Sequence, residues 1–125
     1  MKEQFVTYEI ALKLKELGFD EPCLACYIDK QLHLEQPDYL RSQKKADYIF
    51  GPQNVILAPL WQQVIDWFRE EYKIRIDVSE IYPEADNYHY AINLGWSYFE
   101  GTYYQAREAA ILKAIELWKE TQTKE

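Results

Sequence analysis

The chain has 125 residues, the length of one domain, and 48% of them are hydrophobic, which argues against disorder and allows a core without disulfides. Its 21 acidic and 14 basic residues give a net charge of −7, so direct binding to the phosphate backbone of a nucleic acid is not expected. The apolar runs are far shorter than the roughly 20 residues that span a bilayer and the N-terminus lacks the apolar core of a signal peptide, so we expect a cytoplasmic protein with reduced thiols and no membrane partner.

The first predicted helix lies between Thr7 and Gly18. Thr7 is a preferred N-cap residue, and Gly18 suits the left-handed position that follows many helices. Ile10, Leu14 and Leu17 recur at helical spacing between these two ends. The pattern therefore predicts an amphipathic helix.

The next segment, CLACYI-DK-QLHLE, contains both cysteines of the chain, Cys23 and Cys26, and is interpreted as a β-hairpin that turns at Asp29 and Lys30. Side chains three residues apart in a strand point to opposite faces, so the two thiols cannot converge on one metal ion without a bend. A structural zinc site needs four ligands, and the two histidines of the chain lack the spacing of such a site. We expect two buried cysteines, no metal and no cofactor.

Residues 36–57 show no clear hydrophobic period and are predicted to form a long loop. The second predicted helix opens at Pro59, because proline suits the first helical position. Its apolar side chains form one stripe, which is typical of a helix packed on a core. The stripe consists of Trp61, Val64, Ile65, Phe68 and Tyr72.

A second β-hairpin is predicted from two alternating segments, KIRIDV and NYHYAINL, which flank the turn-forming residues PEADN. Alternation of apolar and polar side chains is typical of a strand with one buried face. The segment WSYF extends this sheet after a bend at Gly95.

The last predicted helix begins after Thr102, which forms the T-x-x-Q spacing of a capping box with Gln105. Residues 120–125 are predicted to fray. The apolar face of this helix is wider than the stripe of roughly 100° that a single sheet covers. We therefore expect either a second copy of the chain, in a homodimer, or the 36–57 loop to cover the excess.

These elements follow the order α-β-β-α-β-β-α. They predict an α+β fold with an antiparallel or mixed sheet of about four to five strands packed against three helices. Residues 1–125 are predicted to form a single domain.

The sequence contains no recognisable catalytic constellation. None of its serines lies in a G-x-S-x-G motif, the four glycines are scattered rather than gathered in a phosphate loop, and neither histidine has an identifiable partner. Paired carboxylates among the 21 acidic residues are an open alternative, although acids on helix faces are usually solvated. We do not expect an enzyme.

Aromatic residues concentrate around the second hairpin, and this density is the main functional signal. Tyrosine and tryptophan are preferred anchors of protein interfaces, although burial in the core explains at least half of these side chains. The candidate contact residues for a protein partner are Tyr82, Tyr88, Tyr90, Trp96 and Tyr98, with Tyr103 and Tyr104 following in the last helix.

Two other functions stay open. A small-ligand domain could hold a nucleotide-like molecule in an aromatic pocket, which requires Arg75 or Arg107 to line the site because an acidic pocket repels phosphate. An acidic mimic of nucleic acid, which would inhibit a DNA-handling enzyme, requires carboxylates arrayed along one face.

The segments APLWQQVIDWFREEYKIRI and EGTYYQAREAAILKAIEL, with the tyrosine-rich strand between them, resemble a set of small uncharacterised proteins from phages, prophages and mobile elements of gut anaerobes. TYEIALKLKELGFDEPCLACY resembles the N-terminal portion of these proteins, so the resemblance extends over most of the chain except residues 36–54. The chain is also distantly similar to a phage helix–sheet–helix sandwich domain. These resemblances imply a mobile-element protein with layered architecture, and they imply no catalytic residue.

Overall fold

The structure is a computed structural model that describes residues 4–34, 42–80, 87–93 and 95–123, with side chains described for all of these except residues 80, 87, 89, 95–100 and 121–123. The fold is α+β, as predicted. The chain divides into two compact units, Met1–Gln63 and Val64–Glu125, where the sequence predicts one domain. No helix in the described ranges combines the length and the apolar character needed to cross a membrane.

The first unit combines two helices with a three-stranded antiparallel sheet of strand order β2-β1-β3. Helices α1 and α2 both pack against β3, which lies at one edge of this sheet. Its elements are α1 (Tyr8–Leu17), β1 (Ala25–Ile28), β2 (Gln31–His33), α2 (Gln43–Phe50) and β3 (Val55–Ala58).

Helix α1 has both of the ends that its sequence predicts. The Thr7 side chain accepts a hydrogen bond from the backbone N–H of Ile10, at 3.4 Å. Gly18 adopts the left-handed conformation with φ 95°, and the backbone N–H of Phe19 donates to the carbonyl oxygen of Leu14 at 3.0 Å. The buried Phe19 side chain therefore folds back toward the helix.

The hairpin of β1 and β2 is also confirmed, and its turn has an unusual residue pair. Asp29 (φ 52°) and Lys30 (φ 64°) are both left-handed, as in the tight turns that usually contain Asn-Gly. The register pairs Cys26 with His33. The strand begins at Ala25, so Cys23 precedes it rather than belonging to it.

The prediction of a long loop over residues 36–57 is wrong for residues 42–57, which contain α2 and most of β3; residues 36–41 lie outside the described part of the chain. Ser42 caps α2 by accepting a hydrogen bond from the backbone N–H of Lys45 at 3.2 Å. Only Gln43 and Ala46 of this helix are buried, so it has too few apolar contacts to show a helical period. Strand β3 is buried at every position, which removes the alternation that identifies a half-exposed strand.

The outer edge of β3 forms hydrogen bonds with a side chain instead of with a further strand. The Nε2 group of Gln43 donates to the carbonyl oxygen of Val55 at 2.7 Å, and its Oε1 accepts from the backbone N–H of Leu57 at 2.9 Å. Directly after the end of β3, the carbonyl oxygen of Pro59 accepts a hydrogen bond from the backbone N–H of Val6 at 3.0 Å. The side-chain amide of Gln43 thus occupies the place of a neighbouring strand.

The second unit contains a three-stranded antiparallel sheet of order β4-β5-β6, with α4 packed against β4 and β5. Its elements are α3 (Trp61–Tyr72), whose first turn lies at the boundary of the units, β4 (Ile76–Glu80), β5 (Asn87–Ile92), β6 (Gly95–Glu100) and α4 (Tyr103–Thr123). The predicted single sheet of four to five strands with three helices is therefore corrected. The described residues form two sheets and four helices.

Helix α4 has the predicted capping box and a buried apolar stripe. The backbone N–H of Gln105 donates to Thr102 Oγ1 at 3.2 Å, and that of Thr102 donates to Gln105 Oε1 at 3.0 Å. The helix extends to Thr123, into the segment that the sequence predicts to fray. The stripe comprises Ala106, Ala110, Ile111, Ala114 and Ile115, all buried within a single copy of the chain.

The buried stripe and the stacking of Trp118 on Tyr72 cover most of the predicted apolar face, although Leu117 is half-buried and Tyr104 is 53% exposed. The apolar residues of the 36–57 segment that were candidates for the cover are Tyr48, Ile49 and Phe50, and all three are exposed on α2. Tyr48 is 91% exposed, so it covers nothing. A homodimer stays a prediction, with a weaker argument from α4.

Candidate functional site

Both cysteines are free and buried, and the surroundings of Cys23 make its thiol unreactive. The Cys23 thiol donates to the carbonyl oxygen of Glu21 at 3.3 Å. Burial, reinforced by the nearby Glu21 carboxylate, raises the pKa of this thiol far above its ordinary value, so it is protonated at neutral pH. A protonated thiol is a poor nucleophile and a poor metal ligand. Within the described ranges, no three histidine, cysteine, aspartate or glutamate residues group together as a metal site would require.

The structure describes part of the predicted aromatic surface. Tyr88 and Tyr90 lie on β5 and are half-buried, and β6 pairs with them through Phe99 and Ser97. Tyr82 lies outside the described residues. Trp96 and Tyr98 belong to β6, but their side chains are outside the description.

A tyrosine–arginine cluster forms where α4 begins, and we define it as Tyr88, Tyr103, Tyr104 and Arg107. The Arg107 guanidinium carbon lies 5.3 Å from the ring centroid of Tyr103 and 5.2 Å from that of Tyr104. The rings of Tyr103 and Tyr104 meet edge to face at 5.7 Å, and those of Tyr88 and Tyr103 at 5.8 Å. The cluster joins a strand residue to the first turns of a helix.

The charged member of the cluster is buried, whereas two of its aromatic members are exposed to solvent. Arg107 is buried, and its desolvation lowers the pKa of the guanidinium, while Tyr103 and Tyr104 favour its charged form. Tyr103 and Tyr104 stay 39% and 53% exposed. The buried guanidinium therefore contacts two aromatic rings that solvent and a partner can reach.

The spacing of this cluster was partly readable in the sequence. Tyr103 and Arg107 are four residues apart on one helix, and Tyr104 and Arg107 are three apart, which places all three on the same face. The contact of Tyr88 with Tyr103 depends on how the sheet packs on α4, so local spacing could not predict it.

Arg75, the other predicted arginine, borders a different feature, which we call the basic pocket. This cavity has a volume of about 430 Å³, and its described lining residues are Arg69, Lys73 and Arg75. The sequence pointed to Arg75 alone. Arg69 and Lys73 were overlooked, although Arg69 lies in the last turn of α3, Lys73 directly follows the helix and Arg75 comes two residues later.

A smaller pocket, of about 170 Å³, is bordered by α1 and α2, and its polar groups satisfy one another. Asp47 Oδ1 accepts from Lys15 Nζ and from Gln43 Nε2, each at 3.0 Å. The backbone N–H of Gln43 donates to the Asp20 carboxylate, near the start of α2. These contacts join α1 to α2, so we interpret this pocket as structural.

The chain matches no protein-family model, no curated protein and no solved structure. The α+β fold and the two charged features of the second unit are therefore the basis for any functional conclusion.

Proposed function

We propose that this protein is a non-enzymatic binding protein that acts through protein–protein contact, with the tyrosine–arginine cluster as its contact surface. The observation that supports the proposal is the half-exposed pair Tyr103 and Tyr104, fixed on the buried Arg107. A tyrosine ring can bury its apolar faces against a partner while its hydroxyl group forms a hydrogen bond, which is why tyrosine is enriched at protein interfaces.

The composition and the rigidity of this surface both suit recognition. Tyrosine and arginine are the residue types that contribute most binding energy at protein interfaces. Side chains that are already held in place lose little conformational entropy when a partner binds. The rings of Tyr103 and Tyr104, held by Arg107, meet both requirements.

We further propose that the protein is an accessory protein of phage or mobile-element origin. The support is the resemblance of its second helix, tyrosine-rich strand and final helix to small proteins of such elements. The nucleic-acid mimic gains no support from the basic pocket, because a mimic requires an acidic surface.

Affinity capture tests the proposed contact surface. The immobilised full chain and a Tyr103→Ser/Tyr104→Ser double variant are exposed to extract of the cells that produce the protein, and captured proteins are quantified by mass spectrometry. The variant keeps Arg107 and the capping box of Thr102 and Gln105. We expect specific partners to fall at least about tenfold, because aromatic anchors of an interface are worth 2 kcal/mol or more.

Tyr48→Ser serves as the matched control, because it removes a more exposed tyrosine from α2. It should capture the same partners as the unmodified chain. Equal capture by the double variant, or loss of capture by Tyr48→Ser alone, would contradict the assignment of the surface. Melting curves of all three proteins check that each is folded.

A further inference from the structure

The basic pocket concentrates positive charge in a chain whose net charge is −7. The pocket is an open depression of about 430 Å³, and its described lining residues, Arg69, Lys73 and Arg75, are all exposed. In the described part of the chain, the one ion pair made by these cations joins Arg75 Nε to Asp77 Oδ2, at 3.1 Å on the exposed surface. The described walls of the cavity thus carry an excess of positive charge.

The backbone at the end of α3 places Lys73 at this cavity through a capping motif. The backbone N–H of Ile74 donates to the carbonyl oxygen of Phe68 at 3.1 Å, which closes the helix, and Lys73 adopts φ 58°. Glycine is the usual residue at this left-handed position, and a residue with a Cβ atom is strained there. Four other non-glycine residues of the described chain also have positive φ, so the conformation alone assigns no role to Lys73; what matters is that it holds the lysine beside Arg69 and Arg75.

Arg75 is fixed by the turn between β5 and β6. Its backbone N–H donates to Asn93 Oδ1 at 2.7 Å, and its carbonyl oxygen accepts from the backbone N–H of Asn93 at 2.9 Å. The backbone N–H and the backbone carbonyl of Arg75 are therefore both hydrogen-bonded to Asn93, one residue before β4 begins. With Arg69 on the last turn of α3, the cations of the pocket come from a helix, its cap and an anchored segment.

Attraction to the helix dipole explains only part of this arrangement. Cations near the C-terminal end of a helix are stabilised by the partial negative charge of its last carbonyls, which suits Arg69 and Lys73. Arg75 lies beyond the helix, and its ion pair is with Asp77 on the same strand segment.

The geometry points to binding of a small phosphorylated anion in the basic pocket. Two guanidinium groups can each donate paired hydrogen bonds to phosphoryl oxygens, and the lysine adds a point charge. The net negative charge of the chain repels long polyanions such as nucleic acids. A small anion is short enough to contact the cations of the basic pocket alone. This site is independent of the tyrosine–arginine cluster.

Calorimetric titration of the full chain with inorganic pyrophosphate at low ionic strength tests the site. We expect one molecule bound per chain, and about tenfold weaker binding for Arg69→Gln and for Lys73→Gly, because each loses a charge-assisted hydrogen bond. Lys73→Gly should also melt at a higher temperature, because glycine relieves the left-handed strain. Weaker binding together with a higher melting temperature cannot result from a damaged fold.

Lys45→Gln is the charge-matched control, because Lys45 is exposed on α2 and does not border the basic pocket. Its affinity should stay within about twofold of that of the unmodified chain, because an exposed charge that is not among the residues lining the pocket donates no hydrogen bond to the ligand. Three results would each overturn the proposal: no binding by the unmodified chain, unchanged binding by Lys73→Gly and Arg69→Gln, or an equal loss in Lys45→Gln. Equal affinity for citrate would overturn the phosphoryl class of ligand.

Discussion

Gln43 is a polar side chain that is only 5% exposed and yet has partners for both ends of its amide. The amide oxygen accepts from Leu57, and the amide nitrogen donates to Val55 and to the Asp47 carboxylate. A buried amide without partners would be unfavourable, whereas this one joins α2 to the edge of β3. Its role explains why a glutamine lies at the buried start of a helix in which Ala46 is the one other buried residue.

We predict that Gln43→Leu lowers the free energy of unfolding by about 2–4 kcal/mol. Leucine has a similar size, but it leaves the carbonyl oxygen of Val55 and the N–H of Leu57 buried without this partner, at about 1–3 kcal/mol each. Urea denaturation measures the change. The neighbouring exposed Lys44 is the control, and Lys44→Leu should shift stability by less than about 0.5 kcal/mol. Equal denaturation midpoints for the two variants would mean that the Gln43 amide is dispensable.

At the scale of elements, the turn between β1 and β2 requires a left-handed backbone conformation that its two residues adopt only with strain. Asp29 and Lys30 both have positive φ, a conformation that asparagine and glycine adopt with less strain. Lys30 Nζ lies 6.0 Å from the Tyr8 ring centroid, a long cation–π contact on the surface. The hairpin forms because the strands on either side supply the pairing.

Replacing this turn with Asn-Gly should stabilise the protein. We predict that the double variant Asp29→Asn/Lys30→Gly raises the free energy of unfolding by about 1 kcal/mol, because it removes left-handed strain from Lys30. Thermal melting measures the change, with Asp29→Asn alone as a control expected to give the smaller part of the gain. A lower melting temperature for the double variant would show that the contact of Lys30 with Tyr8 outweighs the strain.

The sequence predicted elements whose signals are local and missed those whose signals depend on packing. Helix α1 is bounded by Thr7 and Gly18, and α4 begins with a capping box, so both could be read from residue spacing. Helix α2 is held by Gln43 and Ala46, and neither residue gives it an apolar stripe. The division into two sheets depends on strand pairing, which spacing along the chain does not specify.

The same distinction applies to the candidate sites. Arg75 and Arg107 were named because a nucleotide-like ligand requires an arginine at its site in an acidic chain. The cavity that unites Arg75 with Arg69 and Lys73 requires the chain to reverse at the end of α3. That reversal uses a lysine in the place of the usual glycine, so the ordinary signal for a helix end was missing.

For the molecule as a whole, stability depends on side chains that have no contact with water. Phe68 on α3 and Ile111 on α4 are both fully buried in the second unit, and both were predicted as core residues. The aromatic packing around Phe68 includes Trp67, whose ring centroid lies 5.2 Å away. Protein interiors are close-packed, so the removal of a buried side chain lowers the free energy of unfolding.

We predict that Phe68→Ala and Ile111→Ala each lower the free energy of unfolding by about 2–5 kcal/mol, through lost burial and the cavity left behind. Chemical denaturation provides the measurement. Leu112→Ala is the matched control, because Leu112 follows Ile111 on α4 and is 36% exposed. It should cost less than about 1 kcal/mol, and an equal loss for Leu112→Ala and Ile111→Ala would mean that the buried face of α4 is wrongly assigned.

The closure of the β3 edge also bears on how the protein behaves at high concentration. An apolar strand such as Val-Ile-Leu-Ala, at the margin of a sheet, can template the addition of strands from other molecules and so start aggregation. Here the amide of Gln43 and the backbone N–H of Val6 already hold the groups that an incoming strand would need. The side chain that joins α2 to the sheet therefore also protects the chain against polymerisation.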